Sequence, residues 1–350
     1  MKKTILIIAN PFGYGPIGKA IAIANEFINR GHMQVIIAGG LFTQQIVPPR
    51  LSFVNVDERD EKSIHDLLKT IDNVVLVSSQ NRFAIRAAKS LKIQCAFLDG
   101  LSWFWDKIPA EHLVADEIFW MKYPGQELKL NTTSRAINLV PAIIDVVPKN
   151  TKRDQILIHL GGCKNPLIDV FPKNYIDILA DSLSEMSGQF KIKVAGGAEA
   201  INYLKTKFTA AANEFITPVT LQHDEFIIEL DKSIHFITTA GQTATLEAFA
   251  LEVPTSFLLP MNLSQFGLTS LLSRQDACPQ HLDWKDYISV DSSPIPLIEK
   301  DAIVKLNIFA SQILTEEGAY RRLKHDIIKM IGHIPDITGQ KLFIKEIGTN

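Results

Sequence analysis

The stretch Thr238-Thr239-Ala240-Gly241-Gln242-Thr243, with Glu247 a little under two helical turns beyond Gly241, carries the residue types best suited to chemistry in this chain. An apolar run, 234–237, leads into small residues and then into a helical pattern that opens with Gly, Gln and Thr. A bend without bulky side chains lets a ligand approach the backbone, and the unpaired N–H groups of a helix's first turn then face it, which makes an anion site. Such a terminus favours a nearby negative charge by roughly 0.3–1 kcal/mol, up to about 2 when partly buried. Glu247 sets a carboxylate where sugar hydroxyls would lie. A diphosphate at the bend and a ribose at the carboxylate is how a nucleotide-sugar would sit. The bland alternative is a glycine-requiring strand-to-helix turn with Glu247 on a solvated face.

Other groups fall in with this bend. Pro254 precedes a second apolar run, 255–259, which ends in the polar loop Pro260-Met261-Asn262-Leu263-Ser264-Gln265. Gly161 and Gly162 end the apolar run 155–160, where glycines present N–H groups to phosphate, and Gly196 closely follows the run 190–194. Cys163 and Lys164 follow that pair; without a nearby His and Asp, Cys163 reads as a small structural residue. His223-Asp224 either contacts the base or ribose, or Asp224 simply caps the helix, which is the better reading of Asp224.

In the first half, Gly13, Gly15 and Gly18 have the G-x-G-x-x-G spacing, directly after the apolar run 5–9. A dinucleotide site also expects an acidic residue ending the second strand, and there stand Ala38, Gly39 and Gly40. The loop reads instead as a tight turn whose residues Asn10, Phe12, Gly13 and Gly15 let an acceptor approach, with Tyr14 a candidate catalytic group. Lys19 is either a phosphate contact or, as is usual on a helix, solvated. Asp99, ending the apolar run 94–98, is the best candidate for a general base, against a turn or cap role. Beside it Trp103, Phe104 and Trp105 form either an acceptor wall or core.

Short apolar runs at 5–9, 35–38, 52–56, 74–77, 94–98 and 117–120 alternate with helical patterns at 17–29, 61–70, 81–90 and 110–114. That alternation signals βαβ units and a parallel sheet. The pattern lapses over 140–154, with two prolines and a charged cluster, and a second series starts at 155–160, continuing at 190–194, 214–217, 234–237 and 255–259. A helical tail follows from 301 to 330. The expected domains are 1–145 and 152–324, with a helix over about 325–350 packing back on the first, and ligands in a cleft at the strands' carboxyl edges.

The 350 residues are 46% hydrophobic and 21% charged, so the chain is globular, and two domains suit its length. A net charge of −2 gives no general attraction to nucleic acid or anionic membrane. Cys95, Cys163 and Cys278 suggest neither a disulfide framework nor a zinc site. No apolar stretch approaches a membrane span, and the run 5–9 is too short for a signal peptide, so a cytoplasmic protein is expected.

The run from Gln222 to Leu272 resembles the donor-binding half of GT-B glycosyltransferases, especially the peptidoglycan N-acetylglucosaminyltransferase and the antibiotic and plant enzymes. It rests on Ala240-Gly241-Gln242-Thr243, Glu247, Pro254 and Asn262 to Gln265. The resemblance implies an α/β fold of two Rossmann-like doubly wound domains facing each other across a cleft. It implies that Glu247 holds the uridine ribose, that the bend holds the diphosphate, and that Asn262 and Gln265 meet the donor sugar. Thr239, Gly161, Gly162, Gly196 and His223 fall in the same donor site, and Trp103 joins the acceptor loop. The opening Ala9 to Pro16 also looks like that of cytosylglucuronate synthases. One departure matters: the first glycine loop lacks the His or Asp where many relatives carry a base.

The expected activity is transfer of a sugar from a UDP-sugar, as co-substrate, to a small-molecule acceptor. No Asp-x-Asp pair stands at a strand end, so neither metal nor cofactor is expected. The rivals are an epimerase or hydrolase of the same fold, and a non-catalytic nucleotide-sugar-binding subunit.

Overall fold

A computed structural model describes residues 3–31, 33–105, 108–124, 126, 135–146, 152–161, 171–186, 188, 190–209, 214–289 and 294–349. Two compact units emerge: Met1–Asp145 with Ile344–Asn350, and Val146–Phe343.

The first unit holds a seven-stranded parallel sheet: β1 (Thr4–Ala9), β2 (Gln34–Gly39), β3 (Phe53–Asn55), β4 (Val74–Ser79), β5 (Cys95–Asp99), β6 (Glu117–Met121) and β7 (Asn138–Val140). Its order is β3-β2-β1-β4-β5-β6-β7. Every residue of β1 is buried, and its side chains alternate between two cores. Ile5, Ile7 and Ala9 pack with Ile17, Ala20 and Ile21 of α1 (Gly15–Asn29). Leu6 and Ile8 pack with Ile64 and Leu68 of α3 (Glu61–Lys69) and with Ala84 and Ile85 of α4 (Arg82–Ser90). Burial on both faces is why this strand reads as one continuous apolar run. The short helix α2 (Leu41–Gln44) follows β2.

The second unit's sheet is β10-β9-β8-β11-β12, also parallel, from β8 (Gln155–His159), β9 (Lys191–Ala195), β10 (Ile216–Val219), β11 (Ser233–Thr238) and β12 (Thr255–Phe257). Its helices are α5 (Lys173–Ser184), α6 (Ala198–Lys205), α7 (His223–Asp231), α8 (Gln242–Ala250), α9 (Leu263–Arg274), α10 (Glu299–Thr315) and α11 (Glu317–Gly332). The last helix, α12 (Thr338–Ile347), is followed by Gly348, whose carbonyl accepts from Ala142 N at 3.0 Å.

In each sheet the chain changes winding direction once, between β1 and β4 and between β8 and β11. The crevice beyond the carboxyl ends of those strand pairs is where open α/β sheets bind ligands. Buried polar bonds fix both edges. Asn81 Nδ2 donates to Ala9 O (3.0 Å) and Glu58 O (2.8 Å), and Ser79 Oγ donates to Pro16 O (2.8 Å). In the second unit the Arg153 guanidinium donates to Leu251 O (2.5 Å), Glu252 O (2.8 Å) and Asp231 O (3.2 Å). One cation thus satisfies the C-terminal carbonyls of α7 and α8, where the helix dipole favours it.

Several local expectations change. Strand β7 and helix α2, at three and four residues, are too short to set a period. The helix expected over 110–114 is a 3-10 turn, Ala110–Leu113, entered from Pro109. The tail is three helices, because Glu316 and His333 take extended conformations. Lys19 is neither solvated nor on the surface: it is 1% exposed.

His235, in β11, is fully buried; its Nε2–H donates to Ser256 Oγ (2.8 Å), which donates to Gln280 Oε1 (2.6 Å). Burial pushes the imidazole down from 6.5 to about 4. Below pH 6.5 the unfolded chain takes up a proton that the folded chain refuses. Stability is therefore whole above pH 6.5 and drains as pH falls toward 4, by up to about 3 kcal/mol. Urea midpoints measured from pH 7 to pH 4 are expected to show this fall, and His235→Gln is expected to reduce it, leaving the like share of His159.

Candidate functional site

Helix α8 is the centre of the site. All of Gln242 to Phe249 is buried, and that includes Gln242, Thr243, Thr245 and Glu247. An apolar helix explains itself in such a place; one carrying four polar side chains does not, since buried polar groups cost stability unless partnered. Glu247 is 1% exposed, which excludes the solvated helix face. It does not face bare hydrocarbon either: His223 Nε2, from the first turn of α7, donates to its Oε1 at 2.8 Å. Its Oε2 has no hydrogen-bond partner among the described residues.

The bend before α8 is strained at one residue and open at the next. Ala240 holds φ +53°, a left-handed conformation that costs a non-glycine residue roughly 1–2 kcal/mol. Gly241 has an ordinary φ of −72°, and a Cβ built on it meets nothing within 4 Å. Among the described residues no neighbour asks for glycine there, and its φ is open to any residue, so only its place as the N-cap favours it. Among the described residues, nothing fills the space in front of Gly241.

On the other side of the crevice, β8 ends at His159 and Gly161. Gly161 holds φ +63°, which favours glycine, and its carbonyl accepts from Gly197 N at 3.0 Å. Burial against Phe226 and Phe236 pushes His159 down to about 4, so a neutral imidazole lies at this strand end. Thr238 Oγ1 ties β11 to β8 by donating to His159 O (3.1 Å).

Other residues expected at the donor take on framework duties. Asn262 is the N-cap of α9, its Oδ1 accepting from Gln265 N at 2.9 Å. Gln265 accepts from Met261 N (2.6 Å) and donates to Thr239 Oγ1 (3.3 Å), lacing the polar loop to the end of β11. Asn262 Oδ1 and the Gln265 amide thus shape the loop. Gly196 gives its N–H to Val219 O, and a Cβ on it would meet Leu160 Cβ at 3.3 Å, so packing accounts for it. Asp224 is not the cap expected of it: Gln222 precedes the helix, and its N–H goes to Glu225 Oε2 (2.9 Å). Gly162, Cys163 and Lys164 lie outside the described residues.

The first unit holds a second constellation at the carboxyl end of β5. Asp99 is fully buried, and both of its oxygens are engaged: Oδ1 accepts from Leu101 N (2.7 Å) and Oδ2 from His112 Nδ1 (3.2 Å). A carboxylate so enclosed does not reach an acceptor, which corrects its expected role as the base. It orients an imidazole instead. His112 is 9% exposed, packs on Phe97 (4.7 Å between centroids) and Trp105 (5.7 Å), and its Nε2 has no hydrogen-bond partner among the described residues. With Nδ1–H given to Asp99, Nε2 carries the lone pair, which is the tautomer of a general base. His112 has no signal in sequence: it lies thirteen residues after Asp99 in a short 3-10 turn.

Around β1 the side chains are largely committed. Asn10 Nδ2 donates to Gln80 O (3.1 Å) and its Oδ1 accepts from Phe12 N (3.1 Å), closing the turn in which Gly13 takes φ +68°. Gly15 opens α1. Tyr14, expected as a catalytic group, stacks on Phe42 (4.9 Å) and donates its hydroxyl to Gln45 Oε1 (2.9 Å), an anchor between α1 and α2. Trp103 donates Nε1–H to Gly100 O (3.1 Å) and packs beside Phe104 and Tyr123. Glu299, unremarked in sequence, accepts from Leu263 N (3.3 Å) at the start of α9; burial raises its carboxyl to about 7.

No helix among the described residues is long and apolar enough to cross a membrane. No family model and no curated protein matches the sequence. Solved structures do. Os79 from O. sativa, in complex with UDP, is 10% identical, with 98% of this chain and 99% of that one covered at a TM-score of 0.54. The spinosyn rhamnosyltransferase SpnG, complexed with thymidine diphosphate, is 12% identical over 98% and 99%, at 0.51. MnaA of S. aureus, in a structure with UDP, is 12% identical over 99% and 96%, at 0.51. At these identities the likeness is one of fold, and it runs the length of the chain: this protein has the fold of the GT-B glycosyltransferases.

Proposed function

We propose that this protein transfers a sugar from a UDP-sugar to a small-molecule acceptor, without a metal ion and with inversion at the anomeric carbon. The observation that carries the reading is Gly241, a glycine that neither its φ nor its neighbours among the described residues require, fronting a buried polar helix. A diphosphate at that N-terminus receives backbone N–H groups and the favourable end of the helix dipole, so leaving-group charge is stabilised without a cation. Glu247 behind it accepts from the ribose. The structures of Os79 and MnaA with UDP, and of SpnG with thymidine diphosphate, lend the fold's support to a nucleoside diphosphate here.

His112 Nε2 takes the acceptor's proton, and Asp99 holds its tautomer and stabilises the imidazolium that forms. This supplies the base that the first glycine loop lacks.

The test is a panel of UDP-sugars with candidate acceptors, followed by product NMR and UDP release, in EDTA and in added Mg²⁺ or Mn²⁺. The expected result is an acceptor-dependent glycoside of inverted configuration, at a rate indifferent to metal. Sugar isomerised or hydrolysed without an acceptor points to the rival enzymes, and binding without turnover to a binding subunit. Glu247→Ala is expected to weaken UDP binding by about tenfold or more in calorimetry, since a charge-assisted bond is worth roughly 1.5–3 kcal/mol.

A further inference from the structure

We infer that this site binds 2′-deoxyribonucleoside diphosphates about as tightly as ribonucleoside diphosphates, and that His223 is the residue that makes it so. The inference rests on the nucleotide-sugar reading of Glu247. A carboxylate reads a ribose diol best by giving one oxygen to each hydroxyl. Glu247 is not arranged for that. Its Oε1 already accepts from His223 Nε2 at 2.8 Å, and the two side chains are 1% and 6% exposed.

His223 is not easily displaced by a sugar. It is the first residue of α7, whose Phe226, Ile227 and Leu230 are packed in the core, and whose last carbonyl is held by Arg153. Withdrawing the imidazole strips a buried carboxylate oxygen of its donor, and a hydroxyl taking its place only restores what was lost. One oxygen, Oε2, is left for the pentose, and it has no partner among the described residues. A diol read through Oε2 alone cannot give each hydroxyl an oxygen of its own, and the 3′-hydroxyl, common to ribose and deoxyribose, suffices for the contact. At the pentose, the donor class thereby extends from ribonucleoside to 2′-deoxyribonucleoside diphosphate sugars.

The experiment is calorimetric titration of UDP and dUDP, which share a base, into the wild-type protein, His223→Gln and His223→Ala. The wild-type affinities are expected within about threefold of each other, because no charge-assisted bond separates them. His223→Gln, whose amide still donates to Oε1, is expected to keep that ratio. In His223→Ala the vacated oxygen takes the 2′-hydroxyl, and UDP is expected to gain tenfold or more over dUDP, the effect of about one charge-assisted bond. A wild-type protein that already prefers UDP tenfold, or a His223→Ala ratio equal to wild type, overturns the inference. If His223→Ala fails to fold, the wild-type and His223→Gln ratios decide alone. If neither nucleotide binds the folded wild-type protein, the nucleotide-sugar reading itself has failed, a result distinct from tight but discriminating binding.

Discussion

Gly241→Ala is expected to fold as the parent does and to bind UDP at least about tenfold more weakly, a loss of roughly 1.4 kcal/mol or more. The two halves of that result have separate causes. Gly241 sits at φ −72° and ψ 120°, a conformation open to any L-residue, and the added methyl meets nothing within 4 Å among the described residues. The folded protein therefore loses only the difference between glycine and alanine as an N-cap, about 1 kcal/mol or less. The methyl projects toward the space that a diphosphate needs in order to reach the first turn of α8. Thermal unfolding and calorimetry on one preparation separate the two. An unchanged affinity shows that no ligand uses this space.

The second large effect falls on turnover and leaves binding alone. His112→Gln and Asp99→Asn are each expected to lower kcat for sugar transfer by about 10²–10⁴-fold, the usual contribution of a positioned base. UDP affinity is expected to stay within about twofold in both, because the pair lies in the unit of the sheet β1–β7 while Gly241 and Glu247 belong to the other. Asp99→Asn matters although Asp99 touches no substrate. An amide at that position no longer enforces Nδ1–H on His112, and the lone pair leaves Nε2. A kcat unmoved by His112→Gln dismisses the imidazole as the base.

Much of the fold was legible because its central strands are buried on both faces and most of its helices on one. Continuous runs such as 5–9 and 234–237 therefore stand out from the surrounding period. Elements of three or four residues, β7 and α2, carry no period and were invisible. In the site, the bend at Gly241 was legible from small residues between a strand and a helix. The partners were not. Whether Glu247 faces water or His223 depends on how α7 and α8 pack, and the two residues are 24 positions apart. Asp99 was picked out as a strand-end carboxylate, but only tertiary structure shows it enclosed and paired with His112. Asn262 and Gln265 show the converse. Their polarity reads equally as ligand contact or as loop architecture, and the hydrogen bonds favour architecture.

The most direct measurement is calorimetric titration of UDP into the wild-type protein, Gly241→Ala and Glu247→Ala. This account predicts one UDP per wild-type chain and a marked loss of affinity in both variants, with folding intact in Gly241→Ala. Absence of UDP binding, or binding that neither substitution disturbs, would contradict it.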